Sequence, residues 1–498
     1  MEQAVDNRAG ARFAFDNTFA RELEGFYVPW KAAQVAQPKL VAFNRELAEE
    51  LGLDAAALDS DYGARIFAGN EIPEGALPLA QVYAGHQFGG FVPQLGDGRA
   101  LLLGEVVDRN GRRRDIQLKG SGRTPFSRAA DGRAALGPVL REYLIGEAMH
   151  ALGIPTTRAL AAVITGEPVF RERALPGAVL TRVAASHIRV GTFQFFAARG
   201  EQAKVRRLAD YVIDRHYPEL KGRANPYRAL LECVCERQAE LIARWMHVGF
   251  IHGVMNTDNM AISGETIDYG PCAFMDRYDP ATVFSSIDAR GRYAYANQPR
   301  IAQWNLARLA ETLLPLIDAD ENRAVGRALE IVNTFPARYE QHWLKGMRAK
   351  LGLLSEEEAD LNLATGFLTT MAGNKVDYTS AFRHLADAAL GREENIRALF
   401  ADPAPYDRWS EHWRARLSRE AVASPVRAQA MRRANPAFIP RNHRVEEALS
   451  AAVDGGDYAP FKALLQVLSR PFDDQPEFAA LAEPAPEGQG CYQTFCGT

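Results

Sequence analysis

Lysine is scarce in this 498-residue chain, which carries nine lysines against 49 arginines. The skew reflects genome composition more than function, but it makes each lysine conspicuous. Long apolar runs are missing: no stretch approaches the roughly 18–20 residues that a membrane-spanning helix needs. The first fifteen residues contain Glu2 and Asp6 and no apolar segment, which argues against a secretory signal or an organelle transit peptide. The cytosol is the expected location, with no membrane partner. Positive charge is not in excess either. The net charge of −4 and a pI near 6.3 speak against a nucleic-acid binder. Only five cysteines occur, Cys233, Cys235, Cys272, Cys491 and Cys496, and none forms a Cys-x-x-Cys pair, so zinc-ribbon and thioredoxin-type motifs are unsupported. There is no internal repeat, no low-complexity block and no heptad run, and the chain reads as a monomer. Hydrophobic residues at 47% and charged residues at 24% exclude wholesale disorder.

Local patterns order the chain. Apolar spacing over residues 40–53 predicts a helix. A glycine-rich stretch, 83–107, ends in a strand over 100–107, and Asp108–Gly111 predicts a turn, with Asn-Gly the strong hairpin signal. Residues 115–120 read as the returning strand, 136–152 as a helix, and 158–185 as three short strands. A long helix covers 227–247, and the region from about 300 to 470 is mostly helical. Cys233 and Cys235 sit in that long helix as packing residues. The arginine-rich segment 414–436 reads as a solvated helix face. The Pro/Gly/Glu-rich stretch near 483–490 reads as a flexible linker to a tail.

This order predicts an α+β chain: a protein-kinase-like two-lobed fold with a mixed β N-lobe, a mainly helical C-lobe and a helical C-terminal extension. The expected division is an N-terminal extension (1–80), an N-lobe with a glycine-rich loop (81–187), a C-lobe with catalytic and metal-binding loops (188–300), a helical region (301–480) and a cysteine-containing tail (481–498).

The motifs point to phosphate chemistry. Gly96, Gly98 and Arg99 stand before a strand, where glycine backbone lets N–H groups approach phosphate and arginine adds charge. Lys119 closes the next strand and is the only lysine between Lys39 and Lys204. A kinase-like site needs such an ammonium, held by a carboxylate on the next helix, and Glu142 and Glu147 are both available. After the long helix, His252, Gly253 and Asn259 fall in the register of the kinase catalytic loop, and Asp268 in that of the metal-binding Asp. The usual catalytic Asp position holds Val254, which cannot accept a proton. Asn259 and Asp268 are hard oxygen donors suited to Mg²⁺ or Mn²⁺. Asp258 is the carboxylate placed to act as base instead. Such a site should bind nucleotide and metal without standard γ-phosphoryl transfer.

These segments resemble the selenoprotein O family, also called YdiU-type proteins. The likeness is carried by YAGHQFGGFVPQLGDGRALLLGEV, QLKGSGRTPFSRAADGRAALGPVLREYLIGEAM, HGVMNTDNMAISGETIDYGPCAFMD and the cysteine-ending tail. The resemblance implies a kinase-like fold that binds ATP flipped and transfers AMP to Ser, Thr or Tyr hydroxyls of protein substrates in the bacterial cytoplasm. It implies that Gly96, Gly98, Arg99, Lys119, Asp131, Gly132, Arg182, Arg189 and Asp268 bind the nucleotide, and that Lys119 pairs with Glu142. It further implies that Asn259 and Asp268 hold the metal and that Asp258 is the base. A redox disulfide between Cys272 and Cys496 is implied too, with Cys491 as the competing partner and thioredoxin- or glutaredoxin-type proteins as reductants. Alternatives are UMP transfer from UTP with Mn²⁺, a γ-phosphoryl-transferring kinase, and a non-catalytic pseudokinase scaffold.

Overall fold

The structure, a computed structural model, describes residues 12–486 and 492–495. Strands β1 (Tyr27–Pro29), β2 (Lys39–Phe43) and β3 (Leu79–Gln81) come from the first 81 residues. A separate small hairpin follows, β4 (Gly85–Gln87) with β5 (Gly90–Val92). Then come β6 (Ala100–Val107), β7 (Arg113–Lys119), β8 (Ala134–Ala135), β9 (Arg158–Phe170) and β10 (Ala174–Ala184). One antiparallel sheet runs β1-β3-β6-β7-β10-β9-β2, with β8 pairing β10. The sheet therefore includes strands from residues 1–80. The β6–β7 turn forms where Asn-Gly predicts it, with Gly111 at φ +75° and the Asp108 carboxylate accepting from the Asn110 and Arg112 amides.

Two local expectations change. Residues 40–53 are not one helix: Lys39–Phe43 pair with β9, and Asn44 caps a short helix, Arg45–Glu50, by accepting from the Leu47 amide. The open strand edge wins because pairing with β9 lets Leu40 and Phe43 pack on one core and Val41 on the other. The three short strands of 158–185 are two long ones. Gly166, at φ +75°, produces a bulge within β9, and the chain turns only after Phe170.

The helix Leu136–Ala151 lies on β9 and β10 on one side and meets the helices Asn442–Gly455 and Ala459–Leu468 on the other. Covered on both sides, it is apolar nearly all round. The C-terminal helical region thus braces the helix that carries Glu142, and Arg141 reaches Glu446 at 3.0 Å. The helix Pro226–His247 starts at an Asn225 cap with proline at its first position and buries Leu230, Leu231, Val234, Leu241 and Ile242. Each such side chain contributes about 1.5–3 kcal/mol of burial. Cys235 is buried there and Cys233 half-buried. Gly249 (φ +71°) turns the chain into β11 (Phe250–Ile251), which pairs with β12 (Ala273–Phe274). Residues 252–272 are the excursion between these two paired strands.

The segment 414–436 is a solvated face only in part: Arg414, Arg419 and Arg433 are exposed, but two of its arginines turn inward. It belongs to two helices, Ala404–Leu417 and Ser424–Ala434. Arg416 and Arg427 are buried, bonded to Asp360 at 2.8 Å and Glu420 at 2.8 Å. The distant Asp360, which sequence spacing does not reveal, and the nearby Glu420 make this burial tolerable. The described tail residues 492–495 are held in place: Thr494 bridges Ser285 and donates from Oγ1 to the Pro271 carbonyl at 2.7 Å. Cys491 and Cys496 lie outside the described residues. No helix among the described residues is long and apolar enough to cross a membrane.

Candidate active site

A cleft of about 340 Å³ lies between the sheet and the 252–272 excursion. Its lining includes Gly96, Gly98, Arg99, Lys119, Asp131, Gly132, Glu142, Arg182, Arg189, Asp258, Asn259 and Asp268. The fold thus brings together residues separated by up to 172 positions. Cys272 is not among them; it lies behind the cleft, fully buried.

The cleft is organised around Asp268. Lys119, at the end of β7, donates to Glu142 Oε2 at 2.6 Å and to Asp268 Oδ1. Arg182, on β10, donates to the same Oδ1 at 2.6 Å, to Glu142 at 3.2 Å and to Gln117 Oε1 at 2.6 Å. Burial works to raise the Asp268 pKa, but Lys119, Arg182 and Arg189 outweigh it and hold the carboxyl well below the usual range. Asp268 has φ +66°, a left-handed backbone costly for a non-glycine residue. The choice of glutamate is decided here. Glu147 faces away, bonded to Arg158 at 2.6 Å and to Asn44 at 2.8 Å.

The glycine-rich loop is stapled to residues 124–127. Thr124 donates to the Asp97 carbonyl at 2.6 Å, and Ser127 to the Gly98 carbonyl. A side chain at Gly96 would come within 2.4 Å of the Phe126 ring, so the loop can lie this close only with glycine. Asp131 sits at the rim, paired with Arg171 at 2.8 Å. Next to it Gly132 takes φ +70°, and its carbonyl accepts from Gly122 at 3.1 Å.

On the excursion, His252 Nε2 contacts the Ile267 carbonyl at 2.9 Å and Asn259 donates to the Val254 carbonyl at 3.0 Å. The latter bond uses the Asn259 amide NH₂ and leaves its carbonyl oxygen for a cation. Asn259 and Asp268 offer two hard oxygens. No group of three or more His, Cys, Asp or Glu that could hold a metal occurs among the described residues. Two protein oxygens, completed by phosphates and water, fit the Mg²⁺ pattern. Val254 lines the cleft without chemistry of its own. Burial pushes the Asp258 pKa up to about 6, against its own backbone N–H, Arg189 and Gln87. Cys272 donates from Sγ to the Tyr269 carbonyl at 3.2 Å, and burial pushes its thiol up to about 12.

Several residues here were not anticipated. Asp97 is buried, accepts from the Gln81 amide at 3.1 Å and from Gln117 at 3.3 Å, and lies 3.6 Å from Arg189. Arg189 also stacks on Tyr83, 4.2 Å from the ring centroid. A chain Arg182–Gln117–Asp97–Arg189 thus spans the inner wall. Its only signal in the sequence is an aspartate between two loop glycines.

The family model described as "Protein adenylyltransferase SelO" matches residues 11–469. The chain is 64% identical to a "Protein nucleotidyltransferase YdiU" of Rhizobium etli, with 100% of each chain covered. It is 64% identical to one of Cereibacter sphaeroides, covering 98% of this chain and 100% of that one. It is 63% identical to one of Rhizobium meliloti, covering 98% and 99%.

Proposed function

The chain belongs to the SelO family of protein adenylyltransferases and is a nucleotidyltransferase, and we propose that it transfers AMP from ATP to protein hydroxyls. One observation carries this reading. The position of a kinase's base is Val254, while the Asp258 carboxylate lies elsewhere in the same cleft, close to the arginine-lined inner wall. The acceptor hydroxyl attacks the α-phosphorus, its proton passes to Asp258, and pyrophosphate leaves. Lys119, Arg182 and Arg189 neutralise the β- and γ-phosphate charge. Asn259 and Asp268 would hold Mg²⁺ or Mn²⁺, which supplies Lewis-acid stabilisation of phosphate oxygens. The test uses α- and γ-labelled ATP with intact-protein mass spectra of the reduced protein and a generic acceptor protein. A gain of one AMP that Asp268→Ala abolishes supports the reading. A gain of one phosphate replaces it with kinase chemistry, and no gain with either metal leaves a scaffold.

Redox control through Cys272 and a tail cysteine belongs to the same proposal. Cys272 follows Pro271, to which the tail residue Thr494 is hydrogen-bonded. Finding both thiols free in oxidised protein would exclude the Cys272–Cys496 pair.

A further inference from the structure

We infer that Gln87 is a positioning residue for the transfer reaction, holding the Asp258 carboxylate in its working orientation from the tip of the β4–β5 hairpin. The inference rests on the base role proposed above for Asp258 and adds how that carboxylate is held. Three consecutive hairpin residues each donate to a catalytic-loop side chain. The His86 amide bonds Thr257 Oγ1 at 2.7 Å, Gln87 Nε2 bonds Asp258 Oδ2 at 3.3 Å, and the Phe88 amide bonds Asn256 Oδ1 at 3.1 Å. The ring closes behind them: Thr257 donates to Gln194 Oε1 at 2.6 Å, and Gln194 Nε2 meets His86 Nδ1 at 2.8 Å. Tyr293 donates to the same Asn256 oxygen at 2.7 Å and packs edge-on against Phe88.

The hairpin is held there against a local cost. Phe88 takes φ +50° in the two-residue turn, a conformation that glycine or asparagine adopts more readily. Gly85 lets β4 lie directly on the carboxylate, since a Cβ there would stand 2.7 Å from Asp258 Oδ1. Oδ1 is therefore sealed against the strand, and among the described residues it has no hydrogen-bond partner. Oδ2 is the oxygen left to take a proton. It accepts one bond from Gln87 and keeps lone-pair capacity for a hydroxyl. A carboxylate can only accept, so the amide NH₂ of Gln87 must face it. Without that bond the carboxylate could rotate about χ2 and lose its alignment, which is the geometric sensitivity expected of a near-attack arrangement.

A double-mutant cycle tests this, with α-labelled ATP and casein as acceptor. Gln87→Met keeps the volume and removes the donor. It should lower kcat about tenfold, with ATP affinity in Mg²⁺ and the thermal midpoint unchanged. Gln87→Glu puts an acceptor against an acceptor and should lose more. In the Asp258→Ala background, Gln87→Met should cause no further loss. Multiplying losses, a parallel fall in ATP affinity, or a fully active Gln87→Glu would overturn the inference. A fully active Asp258→Ala, or wild-type protein that transfers no AMP, would instead overturn the reading beneath it and remove this inference with it.

Discussion

Arg182 Nη1 donates to Asp268 Oδ1 across 2.6 Å, and the same oxygen accepts from Lys119. One carboxylate oxygen thus joins β7, β10 and the 252–272 excursion. Arg182 is fully buried, and its guanidinium also reaches Glu142 and Gln117. Arg182→Met should leave Lys119 as the one cation hydrogen-bonded to both Glu142 and Asp268. Breaking such a buried pair costs about 3–5 kcal/mol. Denaturant unfolding should show this loss, and Arg182→Lys should not restore it, because an ammonium cannot reproduce the planar fork.

Lys350 gives a pH dependence. Burial alone pushes its pKa down to about 7, and its ammonium lies 4.2 Å from the Phe382 ring centroid and 5.4 Å from that of Tyr378. Between about pH 7 and the unfolded value near 10.4, the unfolded chain binds a proton that the folded one lacks. Stability should therefore rise with pH across this window, by up to ~1.4 kcal/mol per unit from this group. The difference between wild type and Lys350→Met isolates the effect. The variant should be the more stable at pH 7, and its advantage should shrink toward pH 10.

Gly85→Ala should separate folding from function. The added Cβ meets the Asp258 side chain, not a packed core. Transfer should fall about ten- to a hundredfold, less than the ~10²–10⁴-fold expected for outright loss of a general base. The thermal midpoint and ATP affinity should stay near those of wild type. An unchanged rate would show that the hairpin tolerates displacement from Asp258.

Chelation should abolish transfer without unfolding the protein. Only two protein oxygens are assigned to the cation, and Lys119 and Arg182 already neutralise Asp268. EDTA should leave the thermal midpoint within about 2 °C, whereas a structural metal would carry several kcal/mol of folding energy. A large fall in the midpoint would refute the two-ligand assignment.

The candidate site was legible where its signal is local. Lys119 ends a strand, Asn259 and Asp268 stand at motif spacing, and Val254 occupies a position that its neighbours identify. Glycines 96 and 98 announce a close backbone approach. Resemblance, not spacing, pointed to Arg182 and Arg189, since an arginine within a strand or at a helix start looks like a surface residue until its burial is seen. The β2 segment and the buried Arg416 and Arg427 were misread for one reason. Lys39–Phe43 needs β9, Arg416 needs Asp360 and Arg427 needs the Gly352 carbonyl, each far along the chain.

The sequence by itself determined the α+β order, the family, the absent base at Val254 and the residue types that can hold phosphate and cation. The family came from resemblance over long segments; the rest follows from composition, periodicity and short motifs, which need only neighbouring residues. Spacing left Glu142 and Glu147 both open to Lys119 and resemblance pointed to Glu142; the tertiary structure alone decided that Asp97 joins the two inner arginines and that the hairpin carrying Gln87 lies on Asp258. Those outcomes depend on which strands pair and which helix face turns inward. Gln87 and Asp258 are 171 residues apart, and no local periodicity brings them within 3.3 Å. Packing of the β4–β5 hairpin against residues 256–258 does.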